Sequence, residues 1–432
     1  MSRILIRGGC VLTLGEKTPN HPEADVLVED GVVSAVGTGL DARGAEVVDA
    51  SEAIVMPGFV DTHRHTWRAL LRNLGTQTTD VDSSHVQPDD VYAGTLIGLL
   101  GAAEAGITTV VDWADLPDDD RHVEAALQAH ADAGLRTVFV DAAPDGAGGT
   151  DGRRRIRRLT EDADARTTIA LGSNDIAGDN LEAIRAGWAV ARELGVRIHA
   201  HAGLRPDDAG VLADLARQGM LASDVTLVHG THLSDADLDA VAEHGASVAV
   251  APSAEMAGSL GVPPLQKFLD RDIHPGLAID DERIAPGDML SQMRAANSVQ
   301  HAAYFDLKLA GKAGLPNLLT TRDVIRYATL EGARSVGLGG ATGSLEPGKQ
   351  ADLIVLRTDR PNIYPINDPI GAVVWGVDTS NIAWVFVAGR ALVRDGRLET
   401  DVTRVRQLGR AAKDRVVASA GLPGGAAGVE TA

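Results

Sequence analysis

The sequence predicts an α/β chain in which a parallel (β/α)8 barrel interrupts a small β-sheet domain assembled from both chain ends. The opening residues are strand-like and turn-rich, the middle alternates short apolar runs with helical stretches, and the closing residues return to strand-and-turn composition. The 432 residues are enough for such a barrel plus a second small domain. The expected division is 1–57 plus 346–432 for the composite β domain and 58–345 for the barrel. A doubly wound open sheet is the structural rival.

The first strands are ILIRGGCVLTL, ADVLVEDGVVSAVG and AEVVDA, with Glu29-Asp30-Gly31 as a turn between apolar runs. From Gly58 onward the apolar runs are ITTVV (107–111), RTVFV (136–140), VRIHA (196–200), VTLVH (225–229) and ASVAV (246–250). Between them, DADLDAVAEHG predicts a helix with Ser234 as N-cap and Gly245 as stop, and LEAIRAGWAVARELG one from Asn180 to Gly195. TTRDVIRYATLEGARSVGLGG gives a final helix or two, after which ADLIVL, AVVWGV and IAWVFVAGRALVRDG are expected as strands and turns. The tail GLPGGAAGVETA offers little to pack.

Composition removes several function classes. Forty Lys and Arg against sixty Asp and Glu give a formal charge of −20, which disfavours a broad surface for nucleic acid or anionic membrane. One cysteine, Cys10, excludes an internal disulfide framework or a Cys-rich metal cluster. No apolar run has the length of a membrane span, and the N-terminus lacks a signal-peptide pattern, so a cytoplasmic location is expected. The expected partner is a small-molecule substrate; a homodimer is allowed, although no interface feature marks it.

The strongest local signal is MPGFVDTHRHTWRALLRNLG, where His63 and His65 stand two apart at the end of an apolar strand. Period two sends both imidazoles to the same side, the geometry that a divalent metal needs. Later strand ends carry further metal-compatible groups: His199 and His201, His229 and His232, Asp280 and Asp281. Barrel active sites gather at the C-terminal ends of strands, so this distribution predicts one site built from several strands. The remaining histidines, His130 among them, lack this convergence and are expected at the surface or in supporting positions.

On these residues, and on the closing segment GSLEPGKQADLIVL (343–356), the chain resembles the amidohydrolase superfamily, in the branch containing cytosine and guanine deaminases, adenosylhomocysteine deaminases and triazine hydrolases. The resemblance implies a distorted (β/α)8 TIM barrel with a small β-sandwich domain formed from both chain ends. It implies a metal-dependent hydrolase with His63, His65, His201 and Asp280 as metal ligands, and His229 contacting the leaving group or carbonyl oxygen. Of the fifth-strand pair, it favours His201 as ligand and leaves His199 as a hydrogen-bonded polar residue inside the strand. Imidazole and carboxylate donors suit Zn first, with Fe, Co or Mn accepting the same set. Such a metal would make hydroxide available near neutral pH, with Asp280 taking the proton.

Two positions depart from the pattern. The fifth-strand motif ends in Glu in the family, but the corresponding residue here is Leu204; and APSAEMAG carries Glu255 where the family has Asn. Glu255 is expected either to replace the missing acid, to pair with a cationic substrate group, or to lie on the surface. Trp67 and Trp113 are expected, with Leu204, to wall a pocket for a planar substrate, or simply to pack between strand and helix. The expected reaction is hydrolysis of a non-peptide C–N bond in a small planar nitrogen-containing substrate. The alternatives are a chlorohydrolase-like reaction that releases a non-nitrogen leaving group, and a non-catalytic ligand-binding barrel.

Overall fold

The computed structural model describes residues 2–73, 81, 83–117, 119–142, 150–178 and 180–421. The tail beyond Gly421 lies outside them. Eight parallel strands follow one another in sequence order: Phe59–Arg64, Ile107–Ala114, Arg136–Asp141, Thr167–Ile176, Arg197–Ala202, Val225–His229, Ser247–Val250 and Gly276–Leu277. Sequential order with helical crossovers is the barrel topology, and it excludes the doubly wound rival, whose strand order must reverse.

The barrel is distorted because its seam is short. The eighth strand has only two residues, and the ring closes one step later through an isolated parallel bridge between Arg64 and Asp280. Asp280 N donates to His63 O at 2.9 Å and His65 N donates to Asp280 O at 3.0 Å. The closing hydrogen bonds therefore join the segments that carry two of the sequence-selected histidines and the selected aspartate.

Strands from the two chain ends form one nine-stranded mixed sheet. Its central seam is Ala53–Pro57 paired antiparallel with Leu353–Arg357, from Leu353 opposite Pro57 to Arg357 opposite Ala53. Alternation makes this sheet serve two cores. Ile54, Met56, Ile354 and Leu356 pack with the barrel, while Val55, Leu353, Val355 and Phe386 form a separate apolar cluster on the other face. Buried Asp352, from the QADLIVL segment, ties the sheet to the barrel: Arg136 Nε donates to Oδ2 at 2.6 Å, and Ala388 N donates to Oδ1 at 2.8 Å.

The Asp30-Gly31 turn joins the strands His21–Glu29 and Val32–Gly37 with φ values of 48° and 83°. Both values belong to the left-handed hairpin geometry that Gly and Asp tolerate. A Cβ on Gly31 would also stand 2.6 Å from the backbone oxygen of Ala388. Gly31→Ala is accordingly expected to destabilise the fold by about 1–3 kcal/mol, read by chemical denaturation. A variant as stable as the parent would remove this contact from the fold's requirements.

Helix Asp235–His244 has the expected cap, with Ser234 accepting from Asp237 N and Gly245 left-handed at φ 68°. Helix Leu181–Leu194 stops at left-handed Gly195, but Asn180 does not cap it. Its side chain turns back to the preceding strand end, accepting from Ala177 N at 3.2 Å and donating to Asp175 O at 2.6 Å. The segment TTRDVIRYATLEGARSVGLGG forms two helices, Thr321–Tyr327 and Leu330–Ser335.

One element differs from expectation, and one had no expectation. AVVWGV is not a strand: Pro369–Trp375 is helical, started by Asp368, whose side chain accepts from Ile370 N, and by Pro369 in the first turn. The helix Val402–Ser419 follows the last strands and buries Val405, Gly409, Ala412 and Val416. It lies against helix Pro88–Glu104, with Arg415 Nε donating to Asp90 at 2.8 Å. No helix among the described residues is long and apolar enough to cross a membrane.

Candidate metal centre and active site

The HRH strand end places His63 and His65 toward the barrel mouth and fixes them from behind. Arg64, between them, is fully buried; its guanidinium meets Asp61 at 3.2 Å and Glu282 at 3.0 Å. Thr66 N donates to Asp112 Oδ1 at 3.1 Å, and Asp112 Oδ2 meets His130 Nε2 at 2.8 Å. His130 is therefore a buried clip, held at Nδ1 by the Thr137 hydroxyl at 2.8 Å. It pins the start of the loop that follows His65 to the neighbouring strand and helix.

Five side chains converge. His63 Nε2 lies 3.4 Å from Asp280 Oδ1 and 3.4 Å from His201 Nε2, while His65 Nε2 lies 3.5 Å from the same Asp280 oxygen. The donors form two overlapping groups, His63–His65–Asp280 and His63–His201–His229, each with atoms within 4.8 Å of one another. Donors about 2 Å from a common ion stand roughly 3–3.5 Å apart, so these spacings fit a divalent cation. Two facing imidazole nitrogens cannot both satisfy each other as lone-pair acceptors, and a cation between them can satisfy both.

Electrostatics agree with that fit. Burial lowers the His63 pKa to about 4 and depresses His201 well below the usual imidazole range, with neighbouring histidines adding to the effect for His201. Both rings are thus neutral, as ligands must be. Burial would raise the Asp280 carboxyl, but the bond to His63 and the surrounding imidazoles outweigh it and hold the group far below the usual carboxylate range. The backbone is left-handed at His229, φ 75°, and at Asp280, φ 67°. Non-glycine residues adopt this at a cost of about 1–2 kcal/mol, a strain of the kind that clusters at functional sites.

His229 differs from the other imidazoles. Its Nδ1 lies 3.1 Å from Glu255 Oε1, and that oxygen also accepts from Ala251 N at 2.8 Å. Glu255 is completely buried in the short helix Pro252–Ala257, which excludes the surface position. Burial lowers the His229 pKa, yet the Glu255 bond and the Asp280 and Asp175 charges reverse the sign and raise it overall. With Nδ1 engaged by Glu255, Nε2 is left to face the site.

Trp113 is buried in an apolar cluster beside the histidines: its ring centroid is 4.2 Å from that of His201 and 5.5 Å from that of His63. Trp67 is buried and its Nε1 donates to Asp115 at 2.9 Å, so its indole serves the support of the site. Leu204 is half-buried beyond the fifth strand. His199 sits inside the barrel below His201, fully buried, and its ring nitrogens have no hydrogen-bond partner among the described residues. The expected hydrogen-bonded role for it is thus corrected. Its neutral state relieves the cost: burial, aided by Arg197 and His63, pushes its pKa down to about 3.

Residues that the sequence reasoning passed over complete the surroundings. Asp115 Oδ1, at the end of the second strand's run, lies 3.2 Å from His65 Nδ1. Arg68 binds Asp115 and reaches Asp281 Oδ2 at 3.0 Å, so Asp281 belongs to an ion-pair chain that also includes Arg283 at 2.6 Å. Asp175, near the end of the fourth strand, lies 3.6 Å from His201 Nδ1. The strand-end rule that selected the histidines could have found both aspartates, since WAD and SND each close an apolar or β-branched run.

With this geometry in place, the profile of the amidohydrolase family matches residues 54–392. The chain belongs to the amidohydrolase family. A 5-methylthioadenosine/S-adenosylhomocysteine deaminase of Natronomonas pharaonis is 29% identical over 423 residues, spanning 93% of this chain and 94% of its own. Among solved structures, an adenosine deaminase from Xanthomonas campestris with bound zinc superposes at TM-score 0.83 with 22% identity, covering 96% of this amidohydrolase and 99% of that chain. An atrazine chlorohydrolase from Arthrobacter aurescens, complexed with zinc, gives 0.82 at 22% identity, covering 95% and 100%. Both structures speak to the fold. Family membership and the buried His/Asp cluster together make this a metal-dependent amidohydrolase.

Proposed function

We propose that the enzyme hydrolyses the bond between an sp² ring carbon and an amino substituent of a small planar heterocycle, releasing ammonia or an amine. The observation that carries this is the pair of overlapping donor groups, His63–His65–Asp280 and His63–His201–His229, at the barrel mouth, with Glu255 holding His229 from behind. The similarity to deaminases along nearly the whole chain supports the same choice of bond. His63, His65, His201 and Asp280 would hold zinc, which supplies Lewis acidity and a water activated near neutral pH.

The chain's own groups then divide the work. Asp280 takes the proton of the attacking water, because its ionised carboxylate lies among the donors that would hold the metal. His229, held toward its protonated form by Glu255, donates from Nε2 to the group that gains charge as the ring carbon becomes tetrahedral. Trp113 supplies an apolar wall for the planar ring.

Metal analysis and product identification test this together. The enzyme as isolated is expected to contain about one equivalent of zinc, and chelation should abolish turnover until zinc is restored. Aminated purines, triazines and pyrimidines should release ammonia or amine. Release of chloride from a halogenated triazine, with no amine release from any aminated counterpart, would overturn the choice of bond.

A further inference from the structure

We infer that Asp175 is the substrate-contacting carboxylate of this site, and that it selects substrates presenting an N–H donor beside the reacting carbon; this rests on the hydrolase reading above. Each of the other carboxylates that reach the centre is already engaged. Asp280 lies among His63 and His65, 3.4 and 3.5 Å away. Glu255 is enclosed behind His229 and binds Ala251 N. Asp115 is bound by Arg68 and Trp67.

Asp175 is different in each respect. It lies on the strand Thr167–Ile176, whose Ile176 is in register with Ala202, so it reaches the same end of the barrel as His201. Its side chain is 45% exposed, against 11% for Asp280 and none for Glu255. The separation of 3.6 Å from His201 Nδ1 is longer than a normal hydrogen bond. Among the described residues no hydrogen bond from another residue reaches its carboxylate; its own backbone N–H and the more distant charge of Arg205 act on it. Its backbone, by contrast, is fixed: Asn180, freed from capping its own helix, donates to Asp175 O at 2.6 Å. A held backbone with an open carboxylate, next to the imidazoles of the centre, is what recognition of an N–H donor requires.

The chemistry defines the ligand class as amino-substituted N-heterocycles or cyclic amidines, neutral or cationic, with N–H at the atom next to the carbon attacked. Anionic rings and rings bearing only oxygen acceptors at that position are disfavoured by charge and by the lack of a donor.

The test compares the zinc-loaded wild type with Asp175→Ala and Asp175→Asn. Calorimetric binding of 2,4-diamino-1,3,5-triazine and of its N-methylated counterparts that lack the donor is measured beside zinc content and turnover. The wild type should bind the N–H form about 10–100-fold tighter than the methylated form, and Asp175→Ala should lose that preference with zinc content unchanged. Asp175→Asn, which keeps an acceptor oxygen, should retain part of it. A wild type that binds neither form, or an Asp175→Ala variant that keeps the preference, overturns the inference. So does loss of zinc on Asp175→Ala, which would make the residue a support for His201. A wild type that binds with the expected preference but does not hydrolyse any aminated ring leaves the inference standing and overturns the proposed reaction instead.

Discussion

Asp280→Asn is expected to lower kcat/KM by about 10²–10⁴-fold, the range that loss of a general base spans. The substitution is conservative in shape, and asparagine tolerates the left-handed backbone that this position requires, φ 67°. The Asp280 main chain, which closes the barrel by bonding His63 O and His65 N, is untouched. What disappears is the negative charge, and with it both the proton acceptor and one anionic donor of the cluster. Zinc content should therefore fall as well, and the two losses can be separated by assaying at saturating zinc. An Asn variant with near-parental kcat/KM at full zinc occupancy would remove Asp280 from the chemistry.

The second large effect is expected at Glu255. Glu255→Gln keeps an oxygen that can accept from both Ala251 N and His229 Nδ1, so the fold and the ring orientation should survive. The charge does not survive, and it is one of the causes that raise the His229 pKa above its ordinary value. Because the donating form of His229 is the protonated one, it is populated below that pKa and lost as pH rises through it. Removing Glu255's charge lowers the pKa, so the alkaline limb of the kcat profile should move to lower pH, with kcat down about 10²-fold at neutral pH and KM little changed. Glu255→Ala should add a stability loss of about 1–3 kcal/mol for each buried group left without its partner. A pH profile of Glu255→Gln superposable on the parent's would show that Glu255 only packs.

Much of the architecture was legible because short-range rules and burial agree. The runs ITTVV, RTVFV, VTLVH and ASVAV are strands since a parallel barrel buries both faces and selects continuous apolar segments. AVVWGV satisfied that same criterion and is nevertheless a helix, because six apolar residues carry no period and the deciding signal was Asp368-Pro369 just before them. The spacing Val405, Gly409, Ala412, Val416 is helical and was readable. The fourth strand and its Asp175 were overlooked because TTIALGSNDI becomes polar before it ends.

By itself the sequence determined which side chains could bind a metal, since an alternating His-x-His at a strand end leaves both rings on one side whatever surrounds them. Only the tertiary structure decided what the acids do. Glu255 and Asp115 face inward to orient imidazoles, Asp281 joins an arginine chain, and Asp175 stays open, although all are carboxylates near strand ends. The physical reason is that an ionised group's role is set by which counter-charges and donors lie within hydrogen-bond reach, and in a barrel those come from strands and loops far apart in the chain.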